Sequence, residues 1–201
     1  NCIPTESRSP YVSRVASINA GLPQNSVALT VNRLCGSAMQ GIVSTAQSIL
    51  LGDCEFGIGG GVEVMSRGGY LSPALRNGAR MGDSVFVDMM TATLTDPFGV
   101  GHMGITAENL ASKWDISREQ QDDFAFNSQK KAISAIDSGK FDEQIVPINI
   151  KTRKKEFIFD KDEYPKRDST KEILSKMRPA FSRDGTVTAG NSSGINDGAS
   201  F

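Results

Sequence analysis

Residues 27–61 constrain the fold more than any other part of the chain, because their pattern is that of a strand, a helix and a second strand. Residues 27–34 alternate larger apolar side chains with alanine, threonine and asparagine, as a strand does. Residues 55–61 predict a short glycine-rich strand. Between them, apolar residues form one stripe at helical spacing: Met39, Ile42, Val43, Ala46, Ile49 and Leu50. The pattern predicts an α/β fold, and such folds place their chemistry at the carboxyl ends of strands.

Cys35 lies at that position, between the first predicted strand and the predicted helix. A thiol there is close to the positive end of the helix dipole, which favours the reactive thiolate form. Most free cysteines are inert and behave as small hydrophobes, so burial is the alternative to reactivity. The polar and small residues around Cys35 favour access, whereas the settings of Cys2 and Cys54 indicate structural roles.

The composition argues against several classes of protein. The 201 residues carry a net charge of −1 and are 38% hydrophobic, which is typical of a globular protein and gives no electrostatic reason to expect nucleic acid or an anionic membrane as a partner. Three cysteines and one histidine predict neither a disulfide framework nor a metal site. We also expect no apolar stretch long enough to span a membrane.

The cysteine usage indicates a reducing compartment. We expect a cytoplasmic location, with mitochondria and peroxisomes open as alternatives because both ends of the chain read as truncations.

Local signals predict further elements along the chain. Residues 9–21 read as a helix with a proline in its first turn, and residues 66–103 show no regular period. A capping box at Ser117 opens a helix that ends at Gly139. Residues 144–151 and 155–160 predict a hairpin with a solvated basic turn, and a second capping box at residues 169–172 predicts a short helix.

Several segments resemble the motifs of thiolases. Residues 32–37 read Asn-Arg-Leu-Cys-Gly-Ser and, within residues 31–40, resemble the acyl-cysteine motif of that family. Four other segments agree in order and spacing: residues 61–66, 101–109, 116–122 and 185–197. The resemblance implies the thiolase fold, with an incomplete N-terminal βαβ domain at 1–64, an inserted α+β loop domain covering CoA at 65–195, and a return to the first domain at 196–201.

The resemblance also implies an activity. Thiolases transfer an acyl group between CoA thioesters through an acyl-cysteine, here on Cys35, in the reversible Claisen condensation of acetyl-CoA to acetoacetyl-CoA. The backbone N–H of Cys35 would contribute to the oxyanion hole, CoA would be part of the substrate with no other cofactor, and the protein would form a homo-oligomer, a dimer or a tetramer. The family's Gly-His-Pro and Cys-Gly-Gly motifs do not occur in these 201 residues, so we expect the chain alone to be inactive.

Two adjacent residues match the family's lining of the pantetheine tunnel, His102 and Met103. The alternative for His102 is a loop histidine whose ring is satisfied by the backbone. A histidine before Met-Gly resembles the short-chain acetoacetyl-CoA thiolases and β-ketothiolases more than the long-chain degradative enzymes.

The remaining CoA contacts implied by the resemblance lie later in the chain. Phe181 and Ala189 match apolar contacts, for which core packing is the alternative. Ser193 matches a serine that hydrogen-bonds pantetheine, and it could equally be a helix cap. Lys166, with Arg167 beside it, stands where the family often has a basic residue near the CoA phosphates, although a surface charge is the default interpretation.

Other functions remain alternatives. A 3-ketoacyl-CoA thiolase of fatty-acid degradation would use the same nucleophile. A non-catalytic acyl-CoA or lipid carrier would be expected to have lost Cys35, which is present. Decarboxylating condensing enzymes lack the context of residues 32–37, and a redox-sensing thiol would need a resolving cysteine nearby.

Overall fold

The computed structural model describes residues 2–201 of the chain. These residues form two compact units, one containing the chain up to Gly99 together with Ile195–Phe201 and the other containing Val100–Gly194. Residues 65–99 therefore pack with the first unit, whereas the resemblance described above predicts that they belong to the loop domain. The boundaries drawn from the sequence at 64 and 195 stay a prediction.

Two helices of the first unit form where the sequence predicts them. A 3-10 turn at Ser9–Tyr11 leads into α1, Val12–Asn19, and the apolar stripe forms α2, Ser37–Leu51. Gly52 ends α2 with φ 80°, a left-handed conformation that favours glycine. Both helices are therefore confirmed, because propensity and end signals act within a few residues.

The sheet of the first unit differs from the prediction. Strand β1, Gly61–Val64, pairs antiparallel with β8, Asp197–Ser200, in the register Gly61 to Ser200. Residues 27–34 are not a strand, and residues 55–60 precede β1 as irregular backbone. The prediction of a first strand is wrong for the described residues, because a strand needs a partner ladder and Val27 is 97% exposed with none beside it.

The rest of the first unit is built from short pieces, as the lack of regular period in residues 66–103 predicts. Strands β2 and β3 pair antiparallel, and a five-residue helix follows them. The elements are the 3-10 turns Met65–Arg67 and Leu75–Asn77, β2 Tyr70–Leu71, β3 Val87–Asp88, α3 Met89–Thr93 and β4 Thr95–Asp96.

The second unit contains a helix of 20 residues, which is longer than α2, and a helix of 11 residues. Its elements are β5 Gly101–His102, α4 Met103–Lys113, α5 Arg118–Asp137, β6 Ile148–Lys151, β7 Glu156–Phe159 and α6 Lys171–Ser175. The capping box at Ser117 and the β6–β7 hairpin are confirmed. The short helix is confirmed as α6, but the capping box predicted for it is not formed: Thr170 is the N-cap and accepts the Ile173 N–H, and an isoleucine at that position cannot bond back to the cap.

The apolar stripe of α2 is largely exposed in the first unit, where Met39 keeps 65% and Leu50 85% of its surface accessible. One helical window in the described residues, Leu34–Leu51 with mean hydropathy 1.2, is long and apolar enough to cross a membrane by length and composition. The expectation that no stretch approaches this length is therefore wrong. Core helices of α/β proteins meet the same criterion, because their burial also selects long apolar stripes.

The interior of the second unit combines apolar and polar groups. Leu174 and Val187 are buried there, and the Thr188 side chain is fully buried beside them. Asp122 is only 4% exposed, so a carboxylate lies in this interior and needs partners. One partner is Arg118 of the same helix, and the other is Asn191, from the loop that holds three of the predicted CoA contacts.

Candidate active site

Cys35 follows a tight turn that is held by its neighbours. Leu34 adopts φ 51°, a left-handed conformation that non-glycine residues rarely take. Its N–H donates to Asn32 Oδ1 over 3.0 Å, and its carbonyl accepts the Ser37 N–H over 3.0 Å. The chain thus reverses direction immediately before α2, and the cysteine stands at the start of that helix.

The hydroxyl of Ser37 closes the same turn. It accepts the Arg33 N–H over 2.8 Å and donates to the Leu34 carbonyl over 2.7 Å. Ser37 is buried, so both bonds are shielded from water. The sequence singled out Ser37 only as a small polar neighbour of Cys35, yet it fixes the shape of the turn.

The three cysteines differ in access. Cys35 is exposed, whereas Cys2 and Cys54 are half-buried, as the local sequence around each one predicts. Burial, together with Glu63, raises the pKa of the Cys2 thiol above its ordinary value, against a hydrogen bond with Ser37 that lowers it. The Glu63 carboxylate also accepts the backbone N–H of Cys2 over 2.7 Å, and this bond holds the cysteine in place. The accessible thiol of the first unit is therefore Cys35, in a position where it can attack an electrophile.

The six residues predicted to contact CoA all lie in the second unit. His102 caps α4, with its Nδ1 accepting the Gly104 N–H over 3.1 Å. Because Nδ1 uses its lone pair in this bond, the neutral ring carries its proton on Nε2, which remains a donor. A backbone hydrogen bond thus satisfies Nδ1, as expected if His102 is a loop histidine bonded to the backbone. Nε2 stays available to a ligand.

Phe181 packs against this histidine. The two rings are stacked with centroids 5.0 Å apart and an angle of 17° between their planes. The stack fits only because residue 104 is glycine, since a Cβ there would lie 2.1 Å from Phe181 Cγ. His102 and Phe181 therefore form one aromatic surface at the N-terminus of α4.

The other predicted contacts are accessible. Met103, Ala189 and Ser193 are exposed, which removes core packing as the explanation for Ala189. No helix begins after Ser193 in the described chain, so it is not a helix cap. Arg167 is paired with Asp137 at 2.6 Å, whereas Lys166 forms no ion pair among residues 2–201. The contact roles of these residues stay predictions, with Lys166 the better placed cation.

Two side chains that the sequence does not predict hold residues 181–193, here called the 181–193 loop. Glu108 of α4 accepts hydrogen bonds from Thr186 and Val187, and Asp122 of α5 accepts one from Asn191. Their partners lie 69 to 79 residues away in the sequence, so no local pattern connects them. The one available signal was the polar composition of residues 185–197, which is poor in apolar anchors.

Comparison with known proteins identifies the family of this chain. The thiolase N-terminal domain family matches residues 2–201. Beta-ketothiolase BktB of Cupriavidus necator is 56% identical over 200 residues, covering 99% of this chain and 51% of that protein. The crystal structure of the Bacillus anthracis acetyl-CoA acetyltransferase superposes with a TM-score of 0.93 at 45% identity, covering 98% of this chain and 50% of the other.

A third similar structure is human mitochondrial 3-ketoacyl-CoA thiolase in complex with CoA, with a TM-score of 0.90 at 38% identity over 99% of this chain and 50% of that one. The chain spans about half the length of the relatives it matches. The matched domain covers all the described residues and contains the turn at Cys35. The chain therefore belongs to the thiolase family, whose N-terminal domain it carries.

Proposed function

We propose that the protein containing this chain is an acetyl-CoA C-acetyltransferase that carries its acyl group on Cys35. The observation that carries the proposal is the exposed thiol at the start of α2, behind a turn in which Leu34 is held left-handed. Backbone strain of this kind concentrates at functional sites, because it places one side chain where a relaxed turn would not. The relatives that are named β-ketothiolase and acetyl-CoA acetyltransferase support the same chemistry.

The first step is thioester exchange. The Cys35 thiolate attacks the carbonyl carbon of acetyl-CoA, the new carbon–sulfur bond forms, and CoA leaves as a thiolate that takes up a proton. One thioester replaces another, so the step is close to balanced in free energy and runs in both directions. Covalent catalysis of this kind divides one difficult reaction into two easier ones.

The second step forms a carbon–carbon bond. A second acetyl-CoA loses an α-proton to a base, and the resulting carbanion attacks the acetyl group on Cys35. The carbon–sulfur bond to Cys35 then breaks, which releases acetoacetyl-CoA and restores the thiolate. The groups that activate Cys35 and move the α-proton come, by resemblance to thiolases, from the remainder of the protein.

The second unit would bind the thioester substrate. The His102–Phe181 surface and the exposed Met103, Ala189 and Ser193 offer apolar contact and hydrogen-bonding groups to a pantetheine arm. Lys166, which has no ion pair in the described part of the chain, would face the phosphates. The Nε2–H of His102 suits a carbonyl or amide oxygen of the bound thioester.

Mapping the acylated residue tests the proposal. The full-length protein is incubated with acetyl-CoA, digested and examined by mass spectrometry, with Cys35→Ala, Cys2→Ala and Cys54→Ala as matched variants. We expect an added acetyl group on Cys35 in the wild type and in the last two variants. Acetylation that is absent from Cys35, or that persists in Cys35→Ala, would sink the proposal.

The second candidate is a 3-ketoacyl-CoA thiolase of fatty-acid degradation, favoured by the likeness to the human mitochondrial enzyme. The histidine at position 102 favours the short-chain function. Cleavage rates for acetoacetyl-CoA and for a long-chain 3-ketoacyl-CoA separate the two, since a preference for the long chain would select the second candidate.

Assembly and location belong to the same proposal. We expect a cytoplasmic homotetramer, with a dimer as the smaller alternative. Light scattering after gel filtration measures the mass of the assembly, and fractionation of the source cells measures the location. A monomer, or recovery in an organelle or membrane fraction, would contradict the corresponding part.

A further inference from the structure

The 181–193 loop has little secondary structure to hold its shape. It contains no helix and no strand, and its backbone–backbone hydrogen bonds in the described chain are few: the Ala180 N–H to the Val187 carbonyl and the Gly185 N–H to the Ser182 carbonyl. It nevertheless carries Phe181, Ala189 and Ser193, the residues proposed to contact the substrate. Its conformation must therefore come from side chains on neighbouring elements.

Glu108 supplies the first attachment. Its carboxylate accepts the N–H of Thr186 over 2.9 Å, the N–H of Val187 over 2.8 Å and the Thr186 hydroxyl over 3.0 Å. The loop backbone closes around this carboxylate so tightly that a Cβ at Gly185 would lie 2.1 Å from Oε1. Bonds from several donors to one carboxylate are among the stronger hydrogen bonds in proteins.

Asp122 supplies the second attachment. Its Oδ1 accepts from Asn191 Nδ2 over 3.0 Å, and its Oδ2 accepts from Arg118 Nε over 2.7 Å. The other end of the Asn191 amide accepts the Thr188 N–H over 2.7 Å. The buried carboxylate is thus fully paired, and Asn191 links it to the loop backbone.

Both attachments lie behind the loop rather than at its exposed residues. Glu108 and Asp122 contact the backbone or amide of residues 186, 187 and 191, whereas Ala189 and Ser193 are exposed. We propose that Glu108 and Asp122 are positioning residues that hold the 181–193 loop ready to bind the pantetheine arm of an acyl-CoA. The proposal rests on the proposed function, because that function makes the loop a substrate-binding element.

Loss of either attachment should weaken binding more than it slows chemistry. If the ligand must order the loop, the entropy that the loop loses makes the binding free energy less favourable. The reacting thiol and carbonyl are unchanged, so the acylation rate at saturation is retained. Hydrogen bonds to a charged group are among the stronger ones, so we expect a roughly 10- to 100-fold rise in the half-saturating acetyl-CoA concentration when they are weakened.

The test uses Glu108→Gln and Asp122→Asn in the full-length protein, which keep size and remove charge. The matched control is Asp123→Asn, the adjacent residue of α5, whose ion pair with Lys171 is exposed to solvent. Rapid-quench acylation of Cys35 gives the half-saturating concentration and the limiting rate separately. The same reaction is measured with S-acetyl-N-acetylcysteamine, a thioester that lacks most of the pantetheine arm and therefore most of the groups that the loop would contact.

We expect the half-saturating acetyl-CoA concentration to rise in both variants and to stay at the wild-type value in Asp123→Asn. With the short thioester, the variants and wild type should be alike. Equal half-saturation in all four proteins, or a defect of the same size with both substrates, would overturn the proposal.

A variant with a smaller chemical change and a direct binding measurement cover the cases in which the first variants do not fold or Cys35 is not acetylated. If the charge-removing variants do not fold, Thr186→Val removes the hydroxyl that donates to Glu108 and accepts from Gln121 Nε2, and it leaves both backbone N–H bonds to Glu108. We expect a roughly three- to tenfold rise in the half-saturating acetyl-CoA concentration; an unchanged value there refutes the proposal. If wild-type Cys35 is not acetylated, the proposed function fails. Calorimetric affinity for CoA then tests the loop alone, with weaker binding in the variants supporting positioning and equal binding refuting it.

Discussion

Replacing Gly104 by alanine should destabilise the protein, although alanine is the better helix former. Gly104 is the second residue of α4, where alanine would gain up to about 1 kcal/mol in helix propensity. The new Cβ would stand 2.1 to 2.3 Å from the Phe181 ring, so the ring must move and its stack with His102 must open.

Overpacking of this kind costs about 1–3 kcal/mol, and the lost aromatic pair about 0.5–1.5 kcal/mol more. After the propensity gain, we expect a net destabilisation of roughly 0.5–3.5 kcal/mol. Gly41→Ala is the matched control, because Gly41 lies inside α2 and its Cβ would meet the Gly60 backbone at ordinary distances, 3.5 Å from the oxygen and 3.8 Å from the nitrogen. That variant should be more stable than wild type by about 0.5–1 kcal/mol.

Urea unfolding followed by far-ultraviolet circular dichroism measures both changes in the free energy of unfolding. We expect the two substitutions to change the free energy of unfolding with opposite signs and to differ by at least about 1 kcal/mol. If Gly104→Ala is as stable as Gly41→Ala, the His102–Phe181 stack does not depend on the missing side chain, and the geometry at the start of α4 is wrong.

Three further outcomes follow from the described contacts. Alkylation by iodoacetamide near neutral pH should label Cys35 faster than Cys2, because Cys2 is half-buried and its pKa is raised; peptide mapping that finds Cys2 faster contradicts this. Burial raises the pKa of Glu108, but bonds from Thr186 and Val187 outweigh it, so the pKa lies below the ordinary carboxyl value. Its stabilisation is therefore complete above about pH 4.5 and is lost as pH falls through the lower folded value, and Glu108→Gln should show a flatter acid limb in urea titrations from about pH 3 to pH 7. Ser117→Ala breaks the capping box of α5 and should cost about 1 kcal/mol, whereas exposed Ser112→Ala on α4 should cost less than half of that in the same titration.

Local sequence signals are sufficient to predict the helices. The stripe of α2, the glycine that ends it and the Ser117 box of α5 each act within one or two turns, so a single sequence reveals them. Strands depend on distant partners. The pairing of β1 with β8 joins Gly61 to Ser200, and no local pattern contains that information. For the same reason the alternating pattern of residues 27–34 predicts a strand that the structure does not contain there.

The candidate site divides in the same way. Cys35 stands out because its neighbours and the following helix are adjacent in sequence, and its motif resembles that of one family. Glu108 and Asp122 could not be found, because the loop residues they hold are 69 or more positions away. A buried carboxylate becomes meaningful only when its donors are seen.

The left-handed Leu34 has a consequence for engineering. A leucine at φ 51° costs roughly 1–2 kcal/mol that a glycine would not, so Leu34→Gly looks like a simple route to a more heat-resistant protein. The same change would remove the side chain that limits the freedom of the turn before Cys35. A search that ranks substitutions only by the free energy of unfolding would select Leu34→Gly. The resulting protein would resist heat better, but its Cys35 thiol would be less well oriented.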